Sequence, residues 1–234
     1  MNRTGNRAPE RRELARWRFG ESFDLPRSVV AAGGVLVIPT ESSYGLGADP
    51  RNRAAVEAVY RLKGRDAGKP LPVVVAVAGD AVLVGVDPGS PELARAAACW
   101  PAALTVVLPL AVGAPALPAA AGARTVAVRV PDHEPLRRLL AAVGPLTATS
   151  ANPSGGAPVV DPDELAALFA AAPGDTPAPL LVDGGVLPGG PPSTLVAFGA
   201  GGGVRVLRPG PVEVHRLDPG RRGGGREGSP GRGG

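Results

Sequence analysis

Val35-Leu36-Val37-Ile38-Pro39-Thr40-Glu41-Ser42-Ser43-Tyr44-Gly45-Leu46-Gly47 is a short apolar run that stops at a proline and passes at once into hydroxyls, an acid and glycines. The first five residues read as a buried strand. Residues 40–47 then form a polar rim of the kind that open α/β sheets place at strand ends, where ligands bind. Taken alone, the rim reads equally well as an ordinary turn. Working outward, helix and strand signals alternate. Asp24 to Ala32 is expected to be a helix closed by Gly33-Gly34, and Asn52 caps a helix with apolar Val56, Val59, Tyr60 and Leu62 that ends at Gly64. Leu71 to Val77 reads as a β-branched core strand. Ser90-Pro91-Glu92 starts a helix, and Pro135 to Val143 gives another, stopped by Gly144. Asp161 caps a further helix. Strands are expected at Leu104 to Leu108, Thr125 to Arg129, Leu146 to Ser150, Leu180 to Asp183, Ser193 to Phe198 and Val204 to Arg208. This alternation predicts a single α/β domain.

At 234 residues the chain is long enough for one domain with extensions. Its net charge of +4 is uneven. Residues 1–18 carry six Arg against Glu10 and Glu13, and residues 216–234 carry five Arg against Asp218 and Glu227, which leaves the body mildly acidic. A broad nucleic-acid-binding face on the folded part is therefore not supported. The chain divides into an Arg-rich extension over 1–20, a folded body over 21–212 and a Gly/Arg-rich tail over 213–234, whose few apolar residues predict disorder. A short helix around Glu10 to Trp17 and disorder are equal readings of the N-terminal end. The apolar runs are too short to span a bilayer and nothing resembles a secretory signal. The lone cysteine, Cys99, has no intrachain partner for a disulfide, and the expected location is the cytoplasm.

Three clusters carry candidate chemistry. The first is the rim above. The second is Lys63-Gly64-Arg65 with Lys69-Pro70-Leu71, which sets three cations within seven residues and contains the chain's only two lysines. Arginine grips phosphate oxygens through two N–H groups while lysine acts as a compact charge, so the set suits a triphosphate better than it suits a solvated loop. It is not a Walker A loop. The third, Thr147-Ala148-Thr149-Ser150-Ala151-Asn152-Pro153-Ser154-Gly155-Gly156, offers hydroxyls and amides that can hold phosphate or ribose, or form a plain turn. Arg129-Val130-Pro131 and Ser193-Thr194 are weaker additions. His133 and His215 are the only histidines, no zinc-ligand spacing occurs, and no GxSxG elbow offers a nucleophile. Cys99 falls on an apolar helix face and is expected in the core.

Taken together and in order, Pro39-Thr40-Glu41 with Tyr44-Gly45-Leu46, Lys63-Gly64-Arg65 with Lys69-Pro70-Leu71, Trp100-Pro101 with Leu104-Thr105, Arg129-Val130-Pro131, Ser150-Ala151-Asn152 with Ser154-Gly155, Ser193-Thr194 and Arg208-Pro209-Gly210 resemble the YrdC-like family over about residues 22–212. The resemblance implies a twisted mixed sheet with flanking helices around a concave, positively lined cavity. It also implies a nucleotidyltransferase activity: synthesis of threonylcarbamoyl-AMP from ATP, L-threonine and bicarbonate, for modification of tRNA adenosine 37. By the same resemblance Lys63, Arg65, Lys69, Ser150 and Asn152 hold the ATP phosphates, with Thr125, Ser193 and Arg208 as further nucleotide contacts and Mg²⁺ arriving with the ATP. Lys63 and Arg65 are the residues expected to carry catalysis by neutralising charge. Thr40, Tyr44, Arg129 and Thr149 are expected around L-threonine, with Arg129 on its carboxylate, and residues 109–123 are a candidate cover for the site. Transient contact with tRNA or a threonylcarbamoyl transferase complex is implied as well. The chain departs from the family pattern at Ser43, Val74 and Pro192. The alternative reading is an RNA-binding or ribosome-associated paralogue of the same fold without the activity. The Arg-rich ends favour that alternative; the retained Lys63, Arg65, Ser150 and Asn152 favour the synthase.

Overall fold

The structure is a computed structural model and describes residues 14–170, 178–199 and 201–217. In chain order the elements are β1 (Arg16–Arg18), α1 (Asp24–Ala31), β2 (Leu36–Pro39), β3 (Tyr44–Gly47), α2 (Arg53–Lys63), β4 (Val73–Val74), α3 (Pro91–Ala97), β5 (Leu104–Pro109), β6 (Thr125–Arg129), α4 (Glu134–Val143), β7 (Leu146–Thr147), β8 (Thr149–Ser150), α5 (Pro162–Ala170), β9 (Leu180–Asp183), β10 (Thr194–Phe198) and β11 (Val204–Arg208). Three 3₁₀ segments, Ala78–Val84, Pro118–Ala120 and Val214–Leu217, fill the connections.

The helices form where their ends are satisfied. Asn52 accepts from the Ala55 N–H at the start of α2, and Gly64, at φ 60°, closes its end in the left-handed region that glycine enters without strain. Ser90 caps α3 through the Leu93 N–H, and α4 begins at His133, whose Nδ1 accepts from the Leu136 N–H at 3.1 Å. His133 therefore serves as a cap, and burial followed by the nearby Arg129 charge pushes its pKa down.

The strands make two mixed sheets, with the helices flanking them. The first has the order β1-β9-β2-β3-β8 and the second β11-β10-β5-β6-β4-β7. The run Leu146 to Ser150, which reads as one strand, divides at Ala148. Its first half pairs antiparallel with β4 in the second sheet, and its second half pairs antiparallel with β3 in the first. Leu71 to Val77 is strand only at Val73–Val74. The segment Tyr44–Gly47, which reads as rim, is an interior strand that is buried throughout.

Two further readings change. Arg16–Arg18 lies in the stretch that reads as an extension, yet it pairs parallel with β9 and buries Trp17 against Phe19 and Phe23. At the other end Leu217 is buried, and its carbonyl accepts from Arg95 Nε at 2.9 Å. The packed body thus begins before residue 21 and runs past 212. The readings for residues 1–13 and 218–234 lie outside the described residues. The stretch 109–123 does not act as a cover along its whole length: Leu117, Ala119 and Ala120 are buried, and the Ala119 carbonyl accepts from the Leu71 N–H. Cys99 lies in the turn after α3, half-buried against the main core, and not on the helix face expected for it. Among the described residues no helix is long and apolar enough to cross a membrane.

Candidate active site

The tightest constellation joins the second and third sequence clusters. Lys63 ends α2 and is only 6% exposed. Its ammonium donates to the Ser150 carbonyl at 2.6 Å, to Ser150 Oγ at 3.1 Å and to the Asn152 carbonyl at 3.1 Å, with Asn152 Oδ1 at 3.4 Å. An ammonium has three donors, so these acceptors saturate it. The loop is also clasped from the other direction, because the Ser154 N–H donates to the Lys63 carbonyl. Asn152 is fixed in turn by its Nδ2, which donates to the Pro153 carbonyl at 2.9 Å. Burial, then the neighbouring Arg65 charge, pushes the Lys63 pKa down to about 8. The ammonium therefore remains mostly charged at neutral pH, and it stands at the surface of a loop rich in hydroxyl and amide groups. Arg65 is half-buried; its Nη2 donates to the Pro70 carbonyl at 3.3 Å, while its Nε is buried with no hydrogen-bond partner. Lys69 is exposed; its backbone N–H donates to the Asp66 carbonyl at 3.2 Å and its carbonyl accepts from Tyr60 Oη at 2.8 Å.

A second constellation crosses the six-stranded sheet. Register places Val74 beside Arg129, and Leu195 beside both Thr105 and Arg208. Thr105, one step beyond the Val106–Val128 pair, faces Arg129. Directly opposed residues share a face, so Arg129, Thr105, Leu195 and Arg208 form one row across four strands. Val106, Val128 and Val196 alternate to the other face and bury in the main core. Ser193 lies two residues before Leu195 and joins the row: its Oγ sits 2.7 Å from Thr105 Oγ1, and Arg208 donates to its carbonyl at 3.0 Å and its Oγ at 3.2 Å. Burial pushes the Arg208 pKa down. Burial, then the Arg208 charge, holds Arg129 down to about 10, so it stays fully charged at neutral pH. Thr125 shares the face of Arg129 at the opposite end of β6, exposed and about 13 Å away along the strand.

The two sheets meet through a residue that sequence reasoning leaves without a role. Glu41, in the turn between β2 and β3, pairs with Arg129 Nη2, and its other oxygen accepts from the Asp132 N–H at 2.7 Å. Thr40 stands beside it, half-buried, with Oγ1 donating to the Ser43 carbonyl at 2.7 Å. Among the threonine-side expectations Tyr44 is corrected. Its ring is fully buried, its Oη donates to the Gly185 carbonyl at 2.7 Å, and that oxygen accepts from the Gly184 N–H at 3.1 Å. With both hydrogen-bonding roles filled by backbone and burial raising its pKa, Tyr44 anchors the loop after β9 and does not line a ligand site. Thr149 is buried on β8 opposite Leu46, one residue from Ser150. The available signal for Glu41 is Arg129 itself, since a buried guanidinium needs a carboxylate and one stands in the same motif set.

A buried ammonium on a hydroxyl-rich loop and a sheet face carrying two partly desolvated guanidiniums give this α/β protein two concentrations of positive charge. The family model described as telomere recombination (Sua5, YciO, YrdC) matches residues 28–210, and the chain belongs to that family. A threonylcarbamoyl-AMP synthase of Thiobacillus denitrificans is 40% identical over 179 residues, covering 75% of this chain and 89% of that protein. A putative threonylcarbamoyl-AMP synthase of Mycobacterium tuberculosis is 38% identical over 194 residues, covering 80% and 83%. Among solved structures, P. abyssi Sua5 complexed with L-threonine aligns with a TM-score of 0.73 at 29% identity over 88% of this chain. This chain spans 60% of the length of that protein. E. coli YciO, at 22% identity and a TM-score of 0.71, shares the fold.

Proposed function

We propose that this protein synthesises L-threonylcarbamoyladenylate from ATP, L-threonine and bicarbonate, releasing pyrophosphate, as the activated donor for modification of tRNA adenosine 37. The observation that carries the reading is the Lys63 ammonium buried against Ser150 and Asn152, an arrangement that a plain turn does not need. The names of its relatives and the threonine bound to P. abyssi Sua5 support the same reading. Lys63, Ser150 and Asn152 hold the triphosphate, and the unpartnered Arg65 Nε and exposed Lys69 add positive charge at its outer end. Arg208, Ser193 and Thr125 contribute on the nucleotide side. Arg129 takes the threonine carboxylate, with Thr40 and Thr149 beside it.

The chemistry needs no covalent enzyme intermediate. The threonine amine and bicarbonate give a carbamate with loss of water, and a carbamate oxygen attacks the α-phosphorus as the pyrophosphate oxygen leaves. The protein supplies alignment and charge neutralisation in a site that shields the labile carbamate. Mg²⁺ arrives with ATP. Phosphate oxygens and water are the natural ligands of an ion that travels with the nucleotide. Such a reaction belongs in the cytoplasm, beside tRNA and the transferase complex that accepts the product.

The test is pyrophosphate release by the purified chain with Mg²⁺, ATP and bicarbonate, with and without L-threonine, alongside Lys63→Ala. Threonine-dependent release that collapses in the variant is the expected result. ATP binding without threonine-dependent release would defeat the synthase reading and favour an RNA-binding paralogue.

A further inference from the structure

Arg129 already holds a carboxylate, and that carboxylate belongs to the protein. Both oxygens of Glu41 are engaged, one on Arg129 Nη2 and one on the Asp132 N–H. The first of these donors, Arg129 Nη2, is one that an incoming amino-acid carboxylate at this position would use. We propose that Glu41 is an exchangeable internal carboxylate, which occupies the Arg129–Asp132 donor pair in the free protein and is displaced by the carboxylate of the amino-acid substrate. The proposal rests on the threonine reading above and assigns a specificity-determining role to a residue of that same site.

Three features support exchange over a permanent structural pair. The first is incomplete pairing. Arg129 Nε is buried with no hydrogen-bond partner, so Glu41 spans the guanidinium and a backbone amide instead of seating on the guanidinium fork. A free carboxylate, untethered to a turn, can take Nε and Nη2 together, which is the favoured geometry for this pair of groups. The second is the contrast in anchoring. Arg129 is fixed by the register of β6 between β5 and β4, whereas Glu41 sits in the turn from Pro39 to Tyr44, whose shape is held by the Thr40 Oγ1 bond to the Ser43 carbonyl. The Glu41 side chain can therefore rotate outward while the turn and the sheet stay as they are. The third is access. The Glu41 side chain is 20% exposed, so the displaced carboxylate has water to enter and its hydration offsets the lost ion pair.

The arrangement also explains how a guanidinium can wait in so desolvated a position. A buried charge without a partner is strongly unfavourable, and Glu41 removes that cost until the substrate arrives. The consequence is selection: only a ligand that brings its own carboxylate can displace Glu41 without stranding the arginine.

The experiment uses the full chain and Glu41→Gln, which keeps the side-chain shape and an acceptor for the Asp132 N–H while removing the charge. L-threonine is titrated calorimetrically in the presence of Mg²⁺ and a non-hydrolysable ATP analogue, and pyrophosphate release is followed in parallel. Losing a charge-assisted competitor for Arg129 is expected to tighten L-threonine binding by about tenfold. The unliganded variant is expected to melt lower than the wild type, and L-threonine to raise its melting temperature by more. Glu41→Asp, one methylene short of spanning both donors, serves as a second variant should Glu41→Gln fail to fold, and is expected to tighten binding in the same direction. Unchanged or weaker L-threonine binding in the folded variants, while the wild type still releases pyrophosphate with threonine, would overturn the exchange and leave the synthase reading intact. If the wild type neither binds L-threonine nor releases pyrophosphate, the synthase reading falls and the exchange falls with it.

Discussion

Lys63 titrates in an accessible range, which turns the phosphate site into a measurable pH dependence. Its folded-state pKa is pushed down to about 8 by burial and by Arg65. The group is therefore charged below pH 8 and neutral above it. A triphosphate needs the charged form, so the Lys63 contribution to ATP binding is fully present below pH 8 and lost as pH rises through it. One unit of pH beyond a pKa is a tenfold change in the charged fraction, so MgATP affinity should fall by about tenfold between pH 7 and pH 9. Replacing Lys63 by Met keeps most of the buried stem and removes the charge. With its donors taken by the loop in the free protein, Lys63 acts on the triphosphate through its charge, so Lys63→Met should weaken MgATP by roughly tenfold at pH 7. Its affinity should then stay flat through the same window. The assay is calorimetric or fluorescent-nucleotide titration of MgATP alone, because the amine of threonine titrates in this range. A wild-type profile that is flat to pH 9, or a Lys63→Met profile with the wild-type slope, would refute the assignment.

Three further outcomes test the architecture around the site. Trp17→Ala empties a fully buried position on β1 and should cost about 3–5 kcal/mol in a chemical-denaturation curve, whereas an unpacked extension would lose nothing. Tyr44→Phe removes the hydroxyl that bridges the Gly185 carbonyl and the Gly184 N–H; it should cost about 1–2 kcal/mol and leave the KM for threonine unchanged, and a raised KM would return Tyr44 to the site. A Cβ at Gly210 would lie 2.3 Å from the Thr194 nitrogen and 2.5 Å from the Pro192 carbonyl oxygen. Gly210→Ala should therefore destabilise by about 1–3 kcal/mol and, by moving Ser193 against Arg208, lower turnover with ATP.

The features legible in the sequence are those that local chemistry decides. The helix starts at Asn52 and Ser90 and the helix stop at Gly64 are set by side chains within three residues of the end they satisfy, and each stands at its expected position. Lys63 belongs to one sequence cluster and Ser150 and Asn152 to another, and the fold brings Lys63 within hydrogen-bond distance of both. The misreadings share a different cause. Tyr44 sits among hydroxyls and glycines, so its segment reads as a polar rim, but its burial is decided by β2 on one side and β8 on the other, the latter over 100 residues downstream. Trp17 reads as part of a charged extension because its neighbours are Arg16 and Arg18, whose side chains alternate outward to Asp163 and Asp183 while the indole turns inward.

The division of the run from Leu146 to Ser150 is the most consequential of these, because it bears on the site directly. Leu146 and Thr147 lie against β4, whose other neighbour β6 carries Arg129. Thr149 and Ser150 lie against β3, in the sheet that presents Glu41 at its turn, and Ser150 receives the Lys63 ammonium. A single apolar-to-hydroxyl stretch thus ties the sheet that holds the phosphate-side acceptors to the sheet that holds the guanidinium row. No periodicity in five residues reveals a change of sheet, since alternation of side chains is the same on either side of Ala148. The change follows only from the pairing partners, and it makes one five-residue run the covalent link between the sheet that carries Ser150 and the sheet that carries Arg129.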